Sequence, residues 1–261
     1  MSIVQDVPGE LKQFARVFDS LCYRQGDYGR VYADFIEYWV GGMLFDGNKP
    51  LAESLQKRYK DDYKYFGELV TEMILAYNSK LVLAEKRWYD GLGTFYETIT
   101  SRYKSSHLGQ FFTPTEVVDL MSMLVGTEDK QTFCDCCSGS GRMALSAHAT
   151  SVKIKTYCAD LDPVCANMTA INMALHGCQG EVSCMNSLTL EWRYGYQVNP
   201  YFRVSGCPPI PHLTPIENFQ QSIFFPRPKE VQTTEAAPEP QPVAVQKALK
   251  RVQETAQLSL F

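Results

Sequence analysis

The sequence predicts an α/β protein in which a parallel sheet with alternating helices follows a region made of helices alone. Three observations carry this. From about residue 8 to residue 104, apolar residues recur at three- and four-residue spacing, the period of a helix with one buried face. After "SSHLGQFFTP" the period changes to short apolar runs alternating with helical stretches, the pattern of strand–helix–strand units. A short glycine turn, "SGSG" at 138–141, joins the first of these runs to the helix behind it.

In the first region, "ELKQFARVFDSLCY", "VYADFIEYWVGGML", "LAESLQKRYKDDYKYFGELVTEMILAY" and "GTFYETITSRY" are the helical stretches, with Gly47, Asn48 and Pro50 breaking the second from the third. "PTEVVDLMSMLV" is a helix opened by Thr113 and Pro114, a favourable cap and first-turn pair. "QTFCDCC" is a strand and "RMALSAHAT" the helix after it; "KIKTYCADLD" is a second strand, "PVCANMTAINMALHGC" a second helix, and "EVSCMNSL" a third strand. Past Asn199 the pattern fails, and "TTEAAPEPQPVAVQ" is a Pro/Ala/Glu-rich stretch expected to be disordered. The expected division is a helical region at 1–106, a cofactor-binding domain at 107–212, a disordered linker at 213–246 and a terminal peptide at 247–261.

Composition narrows the class. The 261 residues are 45% hydrophobic and 21% charged, as in ordinary globular chains, and the net charge of −4 gives no overall basic field for nucleic acid. Contact with DNA would come from local patches, and "KLVLAEKRW" and "TSRYKSS" offer Lys80, Lys86, Arg87, Arg102 and Lys104 beside aromatic residues; solvated helix faces are the plainer alternative. No apolar run approaches the ~20 residues of a membrane span. The first residues lack the basic and apolar regions of a signal peptide, which points to the cytoplasm, where thiols stay reduced. The nine cysteines are accordingly expected to be mostly small buried hydrophobes.

The stretch "FCDCCSGSG" admits a metal, a redox or a ligand-binding reading. Its C-x-C-C spacing is not that of zinc pairs, and neighbouring strand residues face opposite sides, so Cys136 and Cys137 cannot both face one ion. Cys134 and Cys137 have C-x-x-C spacing but do not sit in the usual register at a helix N-terminus. The third reading fits more features. Glycines let the backbone approach a ligand, the next helix offers free N–H donors, and Asp160 closes the following strand roughly 20 residues on, where a carboxylate can take both hydroxyls of a ribose. The short glycine core favours an adenosyl group over a dinucleotide.

With these motifs in order, about residues 10–190 resemble the N6-adenine DNA methyltransferases of the type I modification-subunit kind. The resemblance implies a Rossmann-like S-adenosylmethionine-dependent methyltransferase sheet. It places Gly109, Gln110, Phe111, Phe112, Thr113 and Pro114 over the methionine end of S-adenosylmethionine, and the D-x-x-x-G-S-G loop on Asp135, Gly139, Ser140 and Gly141. It makes Asp160 the ribose-binding acid, sets Leu161 beside the adenine, and gives Asn186 the place of the family's next acidic residue. "DGLGTFYE" is similar to the family's helical region. Asp162 is either a helix cap before Pro163 or a ligand, and His176 a surface or helix-terminal residue.

The family's [N/D/S]-P-P-[Y/F] tetrad, which accepts the adenine amine and stacks on a flipped base, is absent. The nearest stretches are "NPYF" at 199–202 and "GCPPI" at 206–210; spacing from the glycine loop favours the first, making Asn199, Pro200 and Tyr201 the candidate catalytic residues. The family's sheet of about seven strands is also only partly present. Two functions are expected: an adenine-N6 DNA methyltransferase of a restriction-modification or mobile-element system, or a non-catalytic cofactor-binding accessory in DNA processing. DNA and a specificity or second methyltransferase subunit are the expected partners. The final "QLSLF" is similar to the peptide that binds the bacterial β sliding clamp, with Gln257, Leu258, Leu260 and Phe261 as contacts.

Overall fold

The computed structural model describes residues 2–84, 87–103, 112–125, 131–202 and 210–227. Gln110 and Phe111, the cations Lys86 and Lys104, most of the "GCPPI" stretch, and the terminal peptide with Gln257, Leu258, Leu260 and Phe261 lie outside these residues.

The helical region follows the apolar spacing. Helix α1 (Lys12–Gln25) buries Phe14, Phe18 and Leu21, and α2 (Tyr28–Met43), capped by Asp27, which accepts from Arg30 N–H at 3.1 Å, buries Tyr32, Phe35 and Ile36. The long third stretch is broken: α3 (Lys49–Tyr59) ends at Lys60, whose φ of +49° turns the chain through a 3-10 segment into α4 (Tyr65–Asn78). Lys60, Asp61 and Asp62 are polar in succession, so no apolar face bridges the break. Helix α5 (Gly91–Tyr103) sends Phe95 into the same core, where it meets Phe14 edge-on at 4.6 Å. Two of the patch cations are tied within the protein. Lys80 pairs with Glu10 at 3.1 Å, and Arg87 donates to the Ala149 carbonyl at 2.6 Å.

Helix α6 (Thr115–Val125) leads to the sheet: β1 (Thr132–Asp135), α7 (Arg142–Thr150), β2 (Lys155–Asp160), α8 (Pro163–Leu175), β3 (Gln179–Asn186), β4 (Glu191–Val198) and β5 (Leu213–Pro215). Strands lie in the order β1-β2-β3-β4-β5. The first three are parallel, as the helix-long connections require, but β4 and β5 are antiparallel, so the expectation of a parallel sheet holds for three of five strands. The connection from β3 to β4 is only four residues long, too short to carry a crossover, which fixes the reversal.

Residues 213–227, expected to begin a disordered linker, are part of the fold. Leu213 is buried in β5, and a bridge joins it to Leu44 after α2. Beyond it, the buried carboxylate of Glu181 accepts from the Ser222 hydroxyl and from the Ile223 N–H at 3.0 Å, while Phe219 stacks on Trp192 at 6.0 Å. A buried carboxylate needs such donors, and the segment supplies them. No described helix is long and apolar enough to cross a membrane.

Candidate functional site

The glycine loop follows the C-terminal end of β1, and three local features set its shape. Gly139 and Gly141 have φ of +57° and +91°, the left-handed region that glycine enters without a Cβ penalty. Ser138 N–H donates to the Ala159 carbonyl at the end of β2 at 3.0 Å, and the Thr169 hydroxyl on α8 donates to the Gly139 carbonyl at 2.9 Å. Asp160 closes β2 and holds the loop from below: its Oδ2 accepts Gly139 N–H at 2.8 Å and its Oδ1 accepts Asp162 N–H at 2.9 Å. Each oxygen keeps one lone pair for a further donor. Burial, reinforced by the neighbouring Asp162 and Asp135, raises the Asp160 pKa against those two hydrogen bonds. Asp135 is also raised, by burial, although Cys137 N–H donates to it at 3.1 Å.

Phe112 covers the loop. A Cβ on Gly139 would stand 2.9 Å from its ring, so the absence of a side chain there is what lets the aromatic approach the backbone. The ring also stacks on Tyr96 of α5 at 5.9 Å. Between loop and ring lies a cleft of about 160 Å³ lined by Phe112, Thr113, Asp135, Gly139, Ser140, Arg142 and Asp160 among others. Of the residues expected from sequence, Phe112, Thr113, Asp135, Gly139, Ser140 and Asp160 come together there. Gly141 shapes the turn behind it, packed against Thr169.

Leu161 and Asn186 do not line this cleft. Leu161 is half-exposed just past Asp160, and the Asn186 side chain accepts from Leu188 N–H and Thr189 N–H at 3.0 and 3.2 Å, closing the turn after β3. Asp162 is a helix cap: its Oδ1 accepts from Val164 and Cys165 N–H at 2.7 and 3.2 Å, with Pro163 in the first turn of α8. His176 ends α8. Its Nε2 accepts Tyr89 N–H at 3.2 Å, which makes Nδ1 the protonated nitrogen, donating to the Asn172 carbonyl at 2.7 Å.

Asn199 is not placed as the sequence suggests. It is fully buried with φ of +50°; its Nδ2 donates to the Ala174 and Cys178 carbonyls at 3.0 and 2.9 Å, and its Oδ1 accepts His212 N–H at 3.0 Å. Every polar atom of the amide is thus committed to backbone. It also lies at the wrong end of the sheet. Val198 pairs with Gly180 at the start of β3, whereas Asp160 pairs with Cys184 four residues on, about 13 Å along the strand. Pro200 sits in the same turn, and Tyr201 stacks on His212 at 5.4 Å, remote from the cleft. The three candidate catalytic residues form a structural corner instead. A capping asparagine and an amine-binding asparagine read alike in a sequence.

The residues missed were those behind the loop. Asp90 caps α5, accepting Gly93 N–H at 2.8 Å, and also accepts from Ser140 Oγ at 2.6 Å, Arg142 Nε at 2.7 Å and Asn172 Nδ2 at 2.8 Å. Glu97 pairs with Arg142 at 2.7 Å. The guanidinium is held above its ordinary pKa: burial works against the charge, but Asp90 and Glu97 outweigh it. A signal existed, because Asp90 and Glu97 are seven residues apart, two turns on one face of α5.

Residues 87–198 match the family model described as N-6 DNA Methylase. Among solved structures, the chain is similar to the methyltransferase subunit of a type I restriction-modification system from Streptococcus thermophilus, at 20% identity and a TM-score of 0.34 over 68% of this chain. The match covers 56% of that subunit, so the chain spans a little over half of its length. No curated protein matches the chain.

Proposed function

We propose, from the match of residues 87–198 to the N-6 DNA Methylase family model and from the cleft described above, that the chain is an S-adenosylmethionine-dependent adenine-N6 DNA methyltransferase of a restriction-modification or mobile-element system. The observation that carries the reading is the cleft itself: a loop with no side chain at Gly139, where Phe112 covers it, flanked by the half-buried carboxylates of Asp135 and Asp160 with lone pairs to spare. These residues suit the cofactor. Asp160 accepts the ribose hydroxyls, Gly139 and Ser140 offer backbone to the adenosyl group, and Phe112 and Thr113 shield the reacting end from water. S-adenosylmethionine, when bound, supplies the methyl group.

The adenine amine needs an acceptor of its own, and Asn199 is spent on the backbone. The acceptor belongs either to residues outside the described ones or to a second subunit. That same observation favours the second reading, a cofactor-binding accessory that does not methylate alone. Two measurements separate them. Calorimetry of the full chain with S-adenosylmethionine should show binding, and transfer of labelled methyl to adenine-containing DNA should follow. Binding without transfer to any DNA favours the accessory; no binding sinks both. For the terminal peptide, a labelled copy should bind purified β clamp, and Leu260→Ala with Phe261→Ala should abolish the signal.

A further inference from the structure

Arg142 lines the cleft, and a lone arginine there would be read as a clamp for a ligand's carboxylate. Its surroundings argue otherwise. Nε donates to Asp90 at 2.7 Å; Nη2 donates to Glu97 Oε2 at 2.7 Å; Nη1 donates to Glu97 Oε1 at 3.4 Å and to the Thr113 carbonyl at 3.1 Å. Four of its five N–H groups are therefore engaged, and two carboxylates offset its single charge. What the guanidinium does hold is the covering segment: it takes the main chain of Thr113 and lies 5.4 Å from the centre of the Phe112 ring.

We infer that Arg142 is a positioning residue for the cofactor, a latch that fixes Phe112 and Thr113 over the glycine loop. The inference rests on the functional reading above. The latch is set from three directions. Gly141, in the left-handed region, starts α7 so that Arg142 turns back toward α5. Asp90, which is almost wholly buried, anchors Nε while its other oxygen holds Asn172 of α8, whose amide also donates to the Ser140 carbonyl at 2.7 Å. Glu97, one face of α5 further along, clamps the other end of the guanidinium. The planar fork is what permits three acceptors at fixed angles, and an ammonium cannot reproduce it. Loop, covering segment and both flanking helices are thereby tied to one side chain.

The test uses the full chain, with S-adenosylmethionine affinity by calorimetry set beside thermal midpoint. Arg142→Lys keeps the charge but loses the fork, and should weaken binding on the order of 10–100-fold. Arg142→Ala should weaken it at least as much, and free guanidinium ion, added well below denaturing concentrations, should restore part of the affinity. Because Arg142→Ala strands Asp90 and can unfold the chain, Glu97→Gln is the companion variant. Glu97 is more than a third exposed and leaves the Asp90 pair intact, so the fold should persist while affinity drops several-fold. Variants that lose thermal stability but bind as tightly as the wild type, with no guanidinium rescue, overturn the latch. If the wild type itself takes up no cofactor, the functional reading falls and the latch with it.

Discussion

At Asn199 one side chain does the work of a turn. Its φ of +50° is tolerated by asparagine better than by most residues, and its amide joins the end of α8, the start of β3 and the return of the chain at His212. Asn199→Ala would leave two buried carbonyls and one buried N–H without this partner, so the expected cost is about 2–4 kcal/mol of stability. Cofactor affinity of the folded fraction should not change. Chemical denaturation and calorimetry on the same sample check both, and weakened binding at full stability would return Asn199 to the site. Gly139 makes the opposite prediction. A methyl group there meets Phe112 at 2.9 Å and a strained φ of +57°, yet touches nothing in the deep core. Gly139→Ala should cost about 1 kcal/mol in backbone strain and a larger share of cofactor binding.

Among the elements, those with a clean period were legible from sequence and those fixed by one polar residue were not. Helices α1, α2, α5, α7 and α8 and strands β1 to β3 follow apolar spacing or the strand–turn–helix pattern directly. The docking of 213–227 on Glu181 depends on contacts between distant residues, which periodicity does not record, and the break at Lys60 rests on a short polar run inside an otherwise helical period. The same holds in the site. Asp135, Gly139 and Asp160 carry a local motif, whereas Asp90 and Arg142, 52 residues apart, meet only through the fold. Helix α8 gives a pH test of such a contact. Burial depresses the His176 pKa from 6.5 to about 4, so the folded ring stays neutral while the unfolded one titrates normally. Between those values the unfolded state binds the extra proton. The stability His176 contributes is therefore whole above about pH 6.5 and is lost as pH falls toward 4. The thermal midpoint of wild type should fall toward that of His176→Gln between about pH 7 and about pH 5; parallel curves would contradict the neutral, buried ring.

For the molecule as a whole, the division into a helical region and a separate cofactor domain does not describe the packing. One apolar core runs from Phe14 and Tyr32 through Phe95 to Met168, Ala170 and Val182. Polar contacts cross the same boundary: Tyr77 hydrogen-bonds to Asn172, and Asp90 holds Arg142. The family match begins at residue 87, leaving α1 to α4 outside it. Those helices nonetheless cover α5 and α8, the two elements that position the latch and the loop. A fragment starting at Arg87 and ending at Arg227 would expose Leu92, Phe95 and Met168, all fully buried in the intact chain. Uncovering three such side chains costs on the order of 5–9 kcal/mol, comparable with the whole stability of a domain. The fragment should therefore lack a cooperative melting transition and bind no cofactor, while the full chain melts in one transition seen alike by backbone and aromatic circular dichroism. A well-dispersed amide spectrum from the fragment, with cofactor affinity retained, would show that the helices are a removable layer and that the cleft needs no support from them.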